Sequence, residues 1–91
     1  MKDQIKKNRA ARAKQLRRQA AELNGVIHSR NLYVTVVPSG QRRRVIDAHV
    51  VACGDGVPRL GVRDLYSEHV YFVGDNTITG FADGYGREVV L

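Results

Sequence analysis

The first twenty-five residues, MKDQIKKNRAARAKQLRRQAAELNG, contain no valine, no aromatic residue and no glycine before the last position. Every valine and every aromatic of the chain lies after them. Ala, Lys, Arg, Gln, Leu and Glu are strong helix formers, whereas β-branched and aromatic residues fit strands. This segregation constrains the chain more than any other feature, because it requires a helix first and a sheet second. The sequence predicts a helix from about Asp3 to Leu23, with Asp3 capping its start and Asn24 and Gly25 supplying a left-handed stop.

The faces of this helix are unusual. Lys2, Lys6, Lys7, Arg9, Arg12, Lys14, Arg17 and Arg18 stand against Asp3 alone within residues 1–18, a local charge of +7 in a chain of net charge +6. At 100° per residue the basic side chains spread over about two thirds of the circumference, leaving only a narrow apolar line of Ile5, Leu16, Ala20 and Leu23. Leu16, Ala20 and Leu23 can dock the last turns on a body. Ile5 by itself cannot bury the N-terminal half, so the first three or four turns are expected to project.

Beyond Gly25 the punctuation changes to Pro38-Ser39-Gly40, Gly54-Asp55-Gly56, Tyr66-Ser67-Glu68, Gly74-Asp75-Asn76 and Asp83-Gly84-Tyr85-Gly86. These turn signals bound short strands expected at about 32–37, 43–52, 60–64, 69–73, 77–81 and 87–91. The fold class is therefore α+β: a long basic N-terminal helix followed by a small antiparallel β-meander or partly closed barrel of about five or six short strands. The division is into a basic helical arm, 1–25, and a small β domain, 26–91. A sheet this small exposes edges, so partial closure or pairing with another chain is expected, with the strand at Glu88–Leu91 a candidate for pairing. In element order, a helix followed by about five bent strands is similar to the ring-forming Sm and Hfq architecture of RNA chaperones; that resemblance concerns the fold and carries no function.

Ninety-one residues fit one small domain. Cys53 is alone, so no intramolecular disulfide is possible and a reducing compartment is the simplest expectation. Neither a signal-peptide core nor a membrane-spanning run is present, which points to a cytoplasmic protein, or a virion one if it is an assembly subunit. An Arg-rich, acid-poor start also fits an organelle transit peptide, a secondary reading. From Val45 onward three arginines face seven acidic residues, a balance of −4. The chain reads as a cationic arm on a mildly anionic body.

The arm carries the strongest functional signal. Basic side chains along an exposed helix can neutralise phosphates and release condensed counterions, which supplies affinity without sequence information. Lys6, Lys7, Arg9, Arg12, Lys14, Arg17 and Arg18 are the candidate contacts. Within the arm, KNRAARAKQLRR resembles the short arginine-rich RNA-binding helices of phage antiterminator proteins, over about a fifth of the chain and by composition without a fixed motif; the resemblance implies RNA as a partner. Arg42, Arg43 and Arg44 form the basic run of the body. On a strand Arg42 and Arg44 share one face and Arg43 takes the other, which offers a second phosphate contact or, equally, a charged strand end that resists aggregation.

Other chemistry finds less support. Tyr33, Tyr66, Tyr71 and Phe72 are candidates for base stacking by position, yet Tyr71 and Phe72 are adjacent and must point to opposite faces. His28, His49, His69 and Cys53 lack the paired short spacing of zinc sites, so no metal or cofactor is expected. Asp75 to Gly86 misses a calcium loop, with Thr77, Thr79 and Gly86 where acidic or amide ligands are needed. Asp47 and His49 share a strand face and could orient an imidazole, the best-motivated form of an enzymatic reading. The leading expectation is a non-enzymatic nucleic-acid-binding protein, RNA or DNA. The rival is a structural assembly subunit, of phage virion or connector type, whose arm grips an acidic neighbour in a homo-oligomer or larger assembly.

Overall fold

The computed structural model describes the backbone of residues 2–52 and 54–91 and the side chains of residues 8–52 and 54–91. The side chains of Asp3, Ile5, Lys6 and Lys7, together with Cys53, lie outside the described residues. One long helix, α1 (Lys2–Arg30), precedes six strands: β1 (Leu32–Val36), β2 (Gln41–Ala52), β3 (Pro58–Asp64), β4 (Val70–Phe72), β5 (Ile78–Asp83) and β6 (Glu88–Val89). The expected helix-then-sheet order and all six strands are present.

The helix runs through Asn24 and Gly25 instead of stopping there. Asn24 is spent elsewhere, because its Nδ2 donates to the Ala48 carbonyl at 2.8 Å and its Oδ1 accepts the Ala48 N–H at 3.0 Å. The paired amide pins the helix to β2 and satisfies both polar groups of one strand residue. Gly25 points to open space, and Val26, buried beyond it, prolongs the apolar line. The stop comes at Asn31, whose φ of 62° is left-handed, a conformation that Asn tolerates better than most residues. The Arg30 carbonyl accepts the Gly84 N–H at 2.9 Å. A Cβ at Gly84 would stand 2.5 Å from that oxygen, so the approach requires glycine.

Neighbouring strands pair antiparallel in the order β4-β3-β2-β1-β5-β6. The first four strands form a meander. The chain then crosses back through residues 73–77 and lays β5 along the free side of β1. The order stops at β4 and β6, so the sheet stays open instead of closing into a barrel. With three residues in β4 and two in β6, neither edge offers a ladder long enough to seal it.

β2 is the spine. Its first half pairs with β1 and its second with β3, and a register shift between Val45 and Asp47 marks the change; such a bulge bends a strand and raises its twist. α1 lies along the inner face, mainly against β2 and β3. Leu16, Ala20, Leu23 and Val26 of the helix are buried against Leu32, Val34, Val45, Ala48, Leu60, Val62 and Phe81 of the sheet. The three anchor positions read from the sequence, Leu16, Ala20 and Leu23, thus dock as expected. Asn8 to Arg12 are exposed.

Candidate nucleic-acid interface

The helical arm presents its cations in two directions. The buried line through Leu16, Ala20 and Leu23 faces the sheet, and at 100° per residue Arg9 and Arg12 lie within about 50° of it, whereas Lys14, Arg17 and Arg18 lie about 90° or more away. Arg9 leans over the β2–β3 turn, with its Nη1 3.3 Å from where a Gly56 Cβ would stand. Arg12 donates to Gln15 Oε1 at 3.1 Å and lines a hollow of about 220 Å³ with Leu16, Pro58, Phe72 and Asp75. Lys14, Arg17 and Arg18 are exposed, and among the described residues none of the three forms an ion pair. They make the outward basic face of the arm.

Arg42, Arg43 and Arg44 stand at the other end of the molecule. Asn24 sits on Ala48, and Arg12 shares its hollow with Pro58, which pairs with Ala52 at the far end of β2. The helix and β2 therefore run in opposite senses, and at about 3.3 Å per residue some 30 Å of strand separates Arg43 from Ala52. The arm and the arginine run do not form one patch. The expected alternation of the run is met: Arg42 stacks over the Tyr33 ring at 4.9 Å, and Arg43 turns to the helix side, its Nε 3.8 Å from Asp64 Oδ2. Arg44 donates to Asn31 Oδ1 at 2.8 Å.

Two buried aspartates organise this end. Asp64 closes β3 and Asp83 closes β5, and the register Asp83–Leu32–Val45–Asp64 puts both in one row across four strands. Each carboxylate holds the turn that follows it. Asp64 Oδ1 accepts the Tyr66 N–H at 2.8 Å, and its Oδ2 accepts the Ser67 hydroxyl at 3.2 Å and the Tyr71 hydroxyl at 3.4 Å. Asp83 Oδ1 accepts the N–H groups of Tyr85 and Arg87, both at 2.9 Å. Behind it Arg30 Nη1 approaches Oδ2 to 3.4 Å, an ion pair without hydrogen-bond alignment that leaves this oxygen otherwise unpartnered.

Burial is the largest influence on the Asp83 carboxyl and pushes it up, but the Arg87 and Tyr85 N–H bonds and the Arg30 and Arg87 charges outweigh it. The net effect holds the group below the ordinary value of about 4. A depressed folded value stabilises the fold above the unfolded value, and that contribution disappears as pH falls through the folded one. Asp83→Asn is therefore expected to lower the urea midpoint at neutral pH, with the gap from the parent chain closing as pH drops below about 4. Parallel denaturation curves across that range check it, and a gap independent of pH would refute it.

The aromatic candidates separate. Tyr71 points inward to Asp64 and Phe72 joins the hollow under Arg12. Tyr33 is half-buried under Arg42. Tyr66 alone of the four is fully presented, at 74% exposure, and Tyr85, which the sequence reading assigned only to a turn, matches it at 76%. The signal that could have found Tyr85 is the repeated pattern Asp-x-Tyr, in Asp64-Leu65-Tyr66 and Asp83-Gly84-Tyr85.

On the outer face of the sheet Asp47 and His49 do meet. Asp47 Oδ2 lies 3.5 Å from His49 Nδ1 and 3.8 Å from Arg63 Nη2. Asp47 is thus shared between an imidazole and a guanidinium. Among the described residues no three His, Cys, Asp or Glu side chains gather as a metal site, and no helix is long and apolar enough to cross a membrane. Comparison with protein-family models, curated proteins and solved structures finds no match to this chain.

Proposed function

We infer that the chain is a non-enzymatic nucleic-acid-binding protein whose basic N-terminal helix contacts backbone phosphates while the small sheet anchors that helix. One observation carries this reading. Lys14, Arg17 and Arg18 project from a helix that Leu16, Ala20 and Leu23 fix to the sheet, and among the described residues none of the three is paired with an acidic group. A row of cations carried on a docked helix suits a phosphate backbone, because the backbone that spaces the charges needs no further ordering on binding. A salt titration of affinity for a nonspecific duplex tests it. With about five phosphates neutralised, log affinity is expected to fall against log salt with a slope near −4 to −5; a flat response would sink the mechanism.

A second reading, an assembly subunit, draws on the open β6 edge, where Val90 is exposed. There the arm of one copy grips the acidic β body of the next. Sedimentation would then give oligomers without nucleic acid that vanish when residues 1–18 are removed, and a monomer at high concentration would exclude it.

A further inference from the structure

We propose that the end of the sheet away from the arm is a stacking site for single-stranded nucleic acid, in which Tyr66 and Tyr85 each take a base and the arginines between them take the intervening phosphates. The inference rests on the nucleic-acid reading above and adds a second contact of different chemistry.

Two turns of the same construction build the site. In each, a buried aspartate at a strand end accepts the N–H of the tyrosine two residues on, with an arginine guanidinium behind it: Asp64 with Tyr66 and Arg43, Asp83 with Tyr85 and Arg30. The rings stand 74% and 76% exposed while the turns that carry them are fixed. A large ring on a fixed turn is a poor use of apolar surface in an isolated domain, but it fits a flat partner.

Contacts between the turns are continuous. The Leu65 N–H bonds the Arg44 carbonyl at 2.9 Å, and Arg44 bonds Asn31 at 2.8 Å. Asn31 follows Arg30, whose carbonyl holds Gly84 at 2.9 Å. Arg43 lies over one face of the Tyr66 ring, 5.8 Å from its centre, so a base stacked on this ring takes the opposite face with a cation behind it. Three strand intervals of about 4.8 Å separate the aspartate row ends, a span of roughly 14 Å that two or three nucleotides of single strand can bridge. A duplex keeps its base faces stacked and offers none to the tyrosines. The pairing of exposed rings with interleaved cations selects a single strand over a protein surface, because phosphate supplies the charge complement and bases the planar one.

Anisotropy titrations of the full chain with a labelled ten-nucleotide thymidine strand, a uridine strand of the same length and a nonspecific duplex test the site. Tyr66→Ala/Tyr85→Ala is expected to lose at least about thirtyfold in single-strand affinity, with duplex affinity within about twofold of the parent and the salt slope unchanged. Tyr66→Phe/Tyr85→Phe keeps both rings and should bind single strands as the parent does, which separates stacking from a folding defect. The proposal is overturned if the alanine variant binds single strands normally, if single-strand and duplex affinities fall together, or if the parent chain binds no single strand. Tyrosine-dependent single-strand binding together with a flat salt response of duplex affinity would instead refute the arm and leave this site standing.

Discussion

Replacing Arg9, Arg12, Lys14, Arg17 and Arg18 by glutamine is expected to lower duplex affinity about 10³- to 10⁴-fold at 0.15 M salt. Each neutralised phosphate contributes roughly 0.9 to the slope of log affinity against log salt, which amounts to about 0.7 decades at that concentration, so five contacts account for the loss. The outward group, Lys14, Arg17 and Arg18, is expected to carry about 10²-fold of it. Arg9 and Arg12 lean toward the Gly56 turn and the hollow beside Pro58, so their loss should also move the body's stability slightly. Glutamine retains helix propensity, and circular dichroism should be unchanged. A loss below tenfold with an intact slope would show that phosphates are not held by this helix.

Leu23→Ala is expected to destabilise the fold by about 2–5 kcal/mol, the range for emptying a buried leucine site. Leu23 is 0% exposed and belongs to the buried cluster that joins α1 to the sheet. A domain of this size has about 5–14 kcal/mol in all at roughly 0.05–0.15 kcal/mol per residue. The substitution therefore removes a large share of the stability, and the melting temperature should fall by about 10–30 °C. Asn24, the next residue, holds Ala48 through both amide atoms, so the helix cannot readily rotate to fill the space. A drop of less than about 1 kcal/mol in a denaturant titration would mean that the helix is not the principal cover of the sheet.

How much was legible beforehand follows from which interactions are local. Helix propensity, strand propensity and turn chemistry act over a few residues, and the chain keeps its helix formers and its β-formers apart; the order of elements and all six strands could therefore be read. Leu16, Ala20 and Leu23 were readable as the docking line because helical periodicity is fixed by backbone geometry. The alternation of Arg42, Arg43 and Arg44 followed from the strand pleat in the same way.

What the sequence by itself determined, then, is the helix-first α+β order, the anchor line of α1 and the segregation of charge. The tertiary structure decided the rest. Asn24-Gly25 has the composition of a helix stop, and only the Ala48 backbone, twenty-four residues away, gives Asn24 a better use. β5 pairs with β1 and not with its chain neighbour β4, joining residues as far apart in the chain as Leu32 and Asp83, which no local preference sets. The arm and the Arg42–Arg44 run lie at opposite ends of β2, and Tyr66 and Tyr85 reach one end from different hairpins. Such placements depend on contacts between residues far apart in the chain, and no short-range rule encodes them.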